Sequence, residues 1–366
     1  MFEVIKKFHS ARAGVLKTPH GEIPTPVFMP VGTQGTLKGV PHFLVDCPVI
    51  LSNTYYLYLK PGIEIIKKFG GLHRFINWEN SILTDSGGFQ IFSLSSLFKI
   101  HDGGVEFKSI YDGSTHFLTP KDVIDIEFAL GSDIIMPLDI CLPWPQPKAV
   151  QKNATIQTIK WAEESIRHFK EKNSKQKLFA IIQGGTEQDL RKFCIESLRK
   201  LPFDGFAIGG LAVGEPLSIR LEILKTCLDE IDENAPRYVM GMGPPDELWE
   251  AVELGADMFD CVMPTRNGRN AQAFTFTGKL NLRNSKFKQD EKPLDENCPC
   301  PCCQRYSRAY IHHLFNVGEM LAQILTSLHN INFMLSLMNL MRSSILNGTF
   351  QEEKKKFLER WRQNDS

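Results

Sequence analysis

Eight short apolar runs separated by segments of helical spacing constrain this chain more than any other feature. The runs are Pro26 to Val31, Val49 to Ser52, Ile82 to Thr84, Asp133 to Leu138, Leu178 to Ile182, Gly205 to Ile208, Arg237 to Met240 and Asp257 to Phe259. Between most of them lie candidate helices: Pro61 to Phe69, Pro120 to Leu130 behind Thr119, Pro147 to Lys172, Thr186 to Lys200, Pro216 to Ile231 and Pro244-Pro245 to Leu254. Most open on proline, which suits a first helical turn because its missing N–H would have no partner there anyway. Strands that are apolar throughout are covered on both faces, and strand–helix alternation makes them parallel. Eight such units predict a closed (β/α)8 barrel, the TIM-barrel architecture of the α/β class.

A barrel takes about 250 residues, so roughly a hundred of this chain remain for insertions. Gln90 to Leu118, with turn signals at Asp102-Gly103-Gly104 and Tyr111-Asp112-Gly113, reads as an antiparallel hairpin flap. A second insertion starts at Pro264 and runs through a cysteine cluster. The expected division is a barrel over 1–263, an inserted basic and cysteine-bearing unit with a packing helix over 264–346, and a C-terminal helix over 347–366. Ser307 to Leu346 is rich in Met, Leu and Ile and reads as a helix packed on the barrel or on a second subunit; Glu352 to Arg362 mixes charges and reads as a solvated helix.

In a closed barrel the strand C-termini share one mouth, where chemistry is built. The residues there are Asn53, Asp85, Asp139, Gln183, Gly209-Gly210, Gly241 and Asp260. None is lysine, which argues against a Schiff-base aldolase. After Asp260, a proline-punctuated stretch read as a loop brings up Arg266 and Arg269. From Cys261 to Gln289 there are six Lys or Arg and no acid, although the whole chain carries 42 residues of each sign. So local an asymmetry marks where a polyanion would dock. The N-terminus lacks the basic head and apolar run of a secretory signal, and no apolar stretch reaches the roughly 18 residues of a membrane span, so a cytoplasmic protein is expected.

Of nine cysteines, Cys298, Cys300, Cys302 and Cys303 crowd into six positions. Such clustering points to a metal rather than to disulfides. Three thiolates could share one tetrahedral ion with a histidine from His312, His313 or His329. Spacing does not choose among these, nor between Cys302 and Cys303. A closed set of four ligands makes the expected zinc structural.

Several motifs together resemble bacterial tRNA-guanine transglycosylase, the queuine tRNA-ribosyltransferase family. They are Thr84-Asp85-Ser86-Gly87-Gly88-Phe89-Gln90, Gln183-Gly184-Gly185, Gly209-Gly210-Leu211-Ala212-Val213-Gly214-Glu215, Met240-Gly241, Phe259-Asp260-Cys261-Val262 with Pro264-Thr265-Arg266, and the cysteine cluster before Ser307 to His313. The resemblance implies a cytoplasmic homodimer that exchanges the wobble guanine of tRNAs with a GUN anticodon for a 7-deazaguanine, on the way to queuosine. It implies Asp260 as nucleophile and Asp85 as general acid/base. Ser86, Gly87, Gly88, Asp139, Gln183, Gly210 and Leu211 would hold the base, sandwiched between Met240 and Phe89. RNA contacts would come from Gly241, Met242, Gly243, Pro244, Pro245, Asp246 and Glu247, and from Thr265, Arg266, Asn267, Gly268 and Arg269. The metal ligands would be Cys298, Cys300, Cys303 and His329.

The residue types suit that chemistry. Base exchange with retention needs two displacements at one carbon, the task that paired carboxyls about 5 Å apart perform in retaining glycosidases. One departure stands out: Ile140 follows Asp139 where bacterial members commonly carry a second acid. This leaves aminomethyl-deazaguanine and queuine both open as the incoming base. The alternatives are a barrel nucleoside hydrolase, using the same carboxylates on water, and a non-catalytic tRNA-binding relative.

Overall fold

The computed structural model describes residues 1–88 and 98–362. Three strands, β1 (Phe2–Phe8), β2 (Ala11–Thr18) and β3 (Gly21–Thr25), open the chain as an antiparallel sheet that the apolar-run pattern does not anticipate. This sheet closes the foot of the barrel. Leu16 and Ile23 join the core cluster inside the ring, and the buried Arg12 grips Asp257, just ahead of the last barrel strand, with its Nε 2.9 Å from Oδ1.

The barrel strands are β4 (Val27–Gly32), β5 (Val49–Asn53) and β6 (Ser81–Asp85), then, after a flap of β7 (Phe98–His101), β8 (Gly104–Lys108) and β9 (Thr115–Leu118), the strands β10 (Ile134–Ile135), β11 (Lys177–Ile182), β12 (Gly205–Ile208), β13 (Arg237–Val239) and β14 (Met258–Cys261). They pair in parallel and in chain order, and β14 returns to β4 with Met258 opposite Val27. Alternate residues divide the work, as the two-residue period of a strand requires. Met29, Leu83, Ile181 and Tyr238 fill the interior, whereas Phe28, Ile182, Val239 and Phe259 face the surrounding helices.

All eight predicted strands form, with one shortened. Of Asp133 to Leu138 only Ile134–Ile135 is paired, because the Met136 N–H leaves the ladder and donates to the buried Glu127 carboxylate at 3.2 Å. The flap is a three-stranded sheet rather than a simple hairpin, and the first part of its predicted span, from Gln90, lies outside the described residues.

Other expectations need correction. The stretch after Asp260 is not a loop but a short helix, Met263–Arg269, with Pro264 in its first turn and Pro264, Thr265 and Gly268 buried. A Cβ on Gly268 would meet the backbone of Ser327 at 2.7 Å, so glycine is what lets this helix lie directly against the long helix Met320–Asn347. The predicted Ser307 to Leu346 helix breaks in two, because Gly318 adopts a left-handed conformation (φ 79°) and caps Arg308–Val317. The 28-residue second piece packs on the barrel through Phe333, Met334, Leu337 and Met341. The C-terminal helix, Phe350–Arg362, is not freely solvated: Phe350, Phe357 and Trp361 are buried against Trp249, Phe274 and Phe333. Among the described residues no helix is long and apolar enough to cross a membrane.

Candidate active site

Asp85 ends β6 and Asp260 is the penultimate residue of β14, so both lie at the mouth, in contrasting settings. Two donors converge on Oδ1 of Asp260: the Tyr238 hydroxyl at 2.6 Å and the Gly241 N–H at 2.8 Å. They leave Oδ2 without a donor among the described residues. Burial raises the pKa of Asp260 above the ordinary carboxylate value, and these two hydrogen bonds to the anion oppose the rise. Asp85 accepts from the Thr54 N–H at 3.1 Å and from the Asn53 side chain. Burial still pushes its pKa up to about 7, with the negative charge of Asp260 adding to the shift. One carboxyl is therefore held by two donors on a single oxygen, while the other is poised to carry a proton at neutral pH.

Beside them, Asp139 is 3% exposed and takes the Ser86 hydroxyl at 2.8 Å and the Gln183 amide nitrogen at 2.7 Å. Burial raises its pKa despite both bonds. Gly88 is required for this approach, since a Cβ there would lie 2.0 Å from Asp139 Oδ1. Gly210 sits at φ 64°, where a Cβ would meet Gln183 Oε1 at 2.3 Å. Gly87 is also left-handed, Leu211 is buried behind the site, and Met240 packs over the interior cluster. Ile140, next in the chain to Asp139, is buried and shares with Gln183, Gly210, Val213 and Glu215 a cavity of about 20 Å³, room for one water. Phe89 lies outside the described residues.

The two stretches named for RNA contact differ in exposure. Gly241 and Arg266 are exposed; Pro244, Asp246, Glu247, Asn267 and Arg269 are partly so; Met242, Gly243, Pro245, Thr265 and Gly268 are buried. Met242 belongs to the main core, and the partly exposed Glu247 pairs with Arg220.

Cys298, Cys300, Cys303 and His329 bring four ligand atoms within 4.8 Å of one another, a group that could hold a metal ion. His329 Nδ1 lies 3.2 Å from Cys303 Sγ, and its Nε2 lies 2.7 Å from the Phe274 carbonyl, which fixes the ring for ligation through Nδ1. The other candidates fall outside this group of four. His312 bonds the Leu282 carbonyl through Nδ1, His313 is exposed, and Cys302 is buried in the apolar cluster of the insertion. Next to His329, the buried Asn330 donates to the carbonyls of Pro264 and Gln272 and accepts from the Phe274 N–H, joining the cysteine cluster to the foot of the basic helix.

Three supporting residues escape sequence reasoning. Tyr238 looks like plain strand, yet its hydroxyl reaches Asp260. Arg191 is fully buried and donates to the carbonyls of Ile182, Gly185, Gly209 and Gly210, so it ties the ends of β11 and β12 together. Its signal was available: it lies on the same stripe as Leu190, Cys194 and Leu198, where a charge needs a buried partner. Glu215 accepts from the N–H groups of Ala212 and Val213 and pairs with Arg220, which shapes the loop after Gly210.

A closed parallel barrel whose mouth gathers two carboxyls of unlike hydrogen bonding beside a polar slot defines a (β/α)8 protein with paired acids at its mouth. Sequence similarity narrows this class further. A family model described as queuine tRNA-ribosyltransferase matches residues 7–363. The chain is 52% identical over 365 residues to the queuine tRNA-ribosyltransferase of Thermoanaerobacter sp. strain X514, covering 98% of this chain and 97% of that relative. It is 47% identical over 374 residues to that of Aquifex aeolicus strain VF5, with 98% of each covered, and 47% over 356 residues to that of Helicobacter pylori strain G27, with 96% of each covered. The chain belongs to the queuine tRNA-ribosyltransferase family.

Proposed function

We propose that this transferase exchanges the wobble guanine of GUN-anticodon tRNAs for a 7-deazaguanine by two displacements through a covalent enzyme–RNA ester. The contrast between its two mouth carboxyls carries the reading. Asp260 attacks the ribose anomeric carbon with the oxygen that bears no donor; the bond to guanine breaks, and the leaving base takes a proton from Asp85. The incoming base returns its own proton to Asp85 as it displaces Asp260. A carboxyl with a pKa of about 7 suits this two-way duty at neutral pH. Asp139, Gln183, Ser86 and the close-packed Gly87, Gly88 and Gly210 with Leu211 form the base slot. Met240 forms one face of that slot.

The basic insertion, 264–346, meets the anticodon stem-loop, chiefly through Arg266 and Arg269; the buried members of the two contact stretches shape the surface without touching RNA. The cysteine–histidine group holds one structural zinc ion, consistent with its closed and soft ligand set. The enzyme acts in the cytoplasm as a homodimer. Incubation with GUN-anticodon tRNA and labelled guanine, aminomethyl-deazaguanine or queuine tests the reading. Incorporation of at least one base is expected, and failure of all three refutes it. Release of guanine without incorporation would favour a hydrolase. Chelation should lower the melting temperature along with the zinc content; loss of activity with the fold and its stability unchanged would contradict a structural role.

A further inference from the structure

Glu127 lies on the helix Pro120–Leu130, which precedes β10, and is 0% exposed. Its Oε1 accepts the Met136 N–H at 3.2 Å and the Thr54 hydroxyl at 3.5 Å, while the buried Oε2 has no hydrogen-bond partner among the described residues. Neither partner is a cation. An ionised carboxyl is too costly to bury with no cation beside it and one oxygen left bare. A neutral acid fits the pattern, because its carbonyl oxygen accepts well and its hydroxyl oxygen poorly. Asp260 shows the same one-sided bonding but is partly exposed, so solvent reaches the residue. Glu127 has no such recourse. Burial raises its pKa well above the ordinary carboxylate value; the Met136 N–H opposes the rise and the charge of Asp85 adds to it.

The link to Asp85 runs through Thr54. This residue, 2% exposed, opens the helix Thr54–Leu59; its hydroxyl reaches Glu127 while its N–H donates to Asp85 Oδ1 at 3.1 Å. The preceding Asn53 caps that helix by accepting the Tyr56 N–H at 3.1 Å, and gives its own amide to Asp85 Oδ2. Both donors therefore come from one junction at the end of β5, and Glu127 ties that junction to the residue that follows β10. On the acid/base role proposed above for Asp85, we infer that Glu127, as a neutral acid, is its positioning residue: it holds the Thr54 N–H on Asp85 without setting a further negative charge beside it. The other titratable groups that face Asp85 are Asp260 from β14, Tyr238 from β13 and Tyr56 from the helix Thr54–Leu59. An ionised Glu127 would join Asp260 in raising the proton affinity of Asp85, against the release that its two-way duty needs.

The test reads single-turnover formation of the RNA adduct, trapped with a dead-end base analogue, across a pH series, with a melting curve for each variant. In the wild type the rate should fall on the alkaline side as Asp85 loses its proton near pH 7. Glu127→Met keeps the bulk and deletes the acceptor. Its rate should drop by more than about tenfold. The Thr54 N–H favours the ionised Asp85, so loosening it should also move the alkaline limb up by about one pH unit. Thr54→Val deletes only the hydroxyl and should move the limb the same way, and it decides the matter if Glu127→Met fails to fold. Glu127→Gln supplies a neutral amide with one acceptor and one donor group, and should restore the wild-type rate and limb. A limb that falls to lower pH in Glu127→Gln would mean that Glu127 acts through a negative charge. An unmoved limb in both Glu127→Met and Thr54→Val would leave it a packing residue, and either result overturns the inference. A wild type that forms the adduct with no alkaline limb would instead refute the role given to Asp85, and the inference with it.

Discussion

Replacing Tyr238 with phenylalanine isolates the hydrogen bond that distinguishes Asp260 from Asp85. The ring is fully buried among the interior residues of the barrel, and phenylalanine keeps that packing while deleting only the hydroxyl 2.6 Å from Oδ1. A hydrogen bond to a charged group contributes about 1.5–3 kcal/mol. The Gly241 N–H remains on the same oxygen, so the anion keeps one donor of two. Loss of the other should slow formation of the RNA adduct by roughly tenfold to a hundredfold, since each factor of ten is about 1.4 kcal/mol. The sign with pH follows from the same bond. The hydroxyl favours the ionised carboxyl and works against the burial that raises its pKa, so removing it raises that pKa further. The acid limb of the rate profile should therefore move to higher pH, and the deficit should be largest on the acid side. The assay is single-turnover trapping of the denaturant-stable adduct with a dead-end base analogue across a pH series, with a melting curve to show that the fold is kept. A Tyr238→Phe enzyme with an unchanged rate and an unmoved acid limb would refute the role given to this hydroxyl.

Asp260→Asn should abolish the adduct altogether, and any adduct in that variant would mean that the nucleophile lies elsewhere. For Asp85, the carboxyl keeps its proton up to about pH 7 in the folded protein but releases it near its ordinary value of 3.8 when unfolded. The folded state thus binds the extra proton between those values, and wild-type stability from this group falls as pH rises through the window. The stability of Asp85→Ala relative to wild type should accordingly rise by about 1–3 kcal/mol from pH 4 to 8, discounted for partial exposure at the mouth; a flat difference in denaturant titrations would sink the argument. Gly88→Ala drives a methyl against Asp139 and should raise KM for guanine by more than about tenfold, whereas its effect on adduct decay is smaller. Arg191→Met strands the carbonyls it now satisfies and should cost about 3–5 kcal/mol in urea unfolding; a loss under 1 kcal/mol would show that water replaces it without penalty.

The barrel was legible because its strands are buried on both faces, which leaves uninterrupted apolar runs, and because prolines punctuate the helices between them. The strand-end residues were legible for the same reason: where a run stops, the next side chain faces the mouth. The misses share another cause. The Met263–Arg269 helix carries two arginines, an asparagine and a glycine, so its local sequence reads as loop; its shape comes from tertiary packing of Gly268 on Ser327. The C-terminal helix hides three buried aromatics among six Lys or Glu from Glu352 to Glu359 and further Arg residues, and charge dominates the pattern until the partner surface is seen. Tyr238 and Arg191 support the site through hydrogen bonds to groups distant in the chain, and no periodicity carries that information. Spacing likewise left the fourth ligand of the cysteine cluster open, whereas three-dimensional proximity groups His329 with Cys298, Cys300 and Cys303.

The pairing of β14 with β4 sets a timetable for the chain. The ring is sealed by Met258 opposite Val27, partners more than two hundred residues apart, and the sealing strand is the one that carries Asp260. A nascent chain displays Asp85, Asp139 and Gln183 while the ring is still open, and the N-terminal sheet must wait for Asp257 before Arg12 finds its carboxylate. Contacts so remote in sequence form late. Under the proposed mechanism Asp260 is thus the last piece delivered to the mouth, and an unfinished barrel, however much of the proposed base slot has assembled, would have nothing with which to open a glycosidic bond.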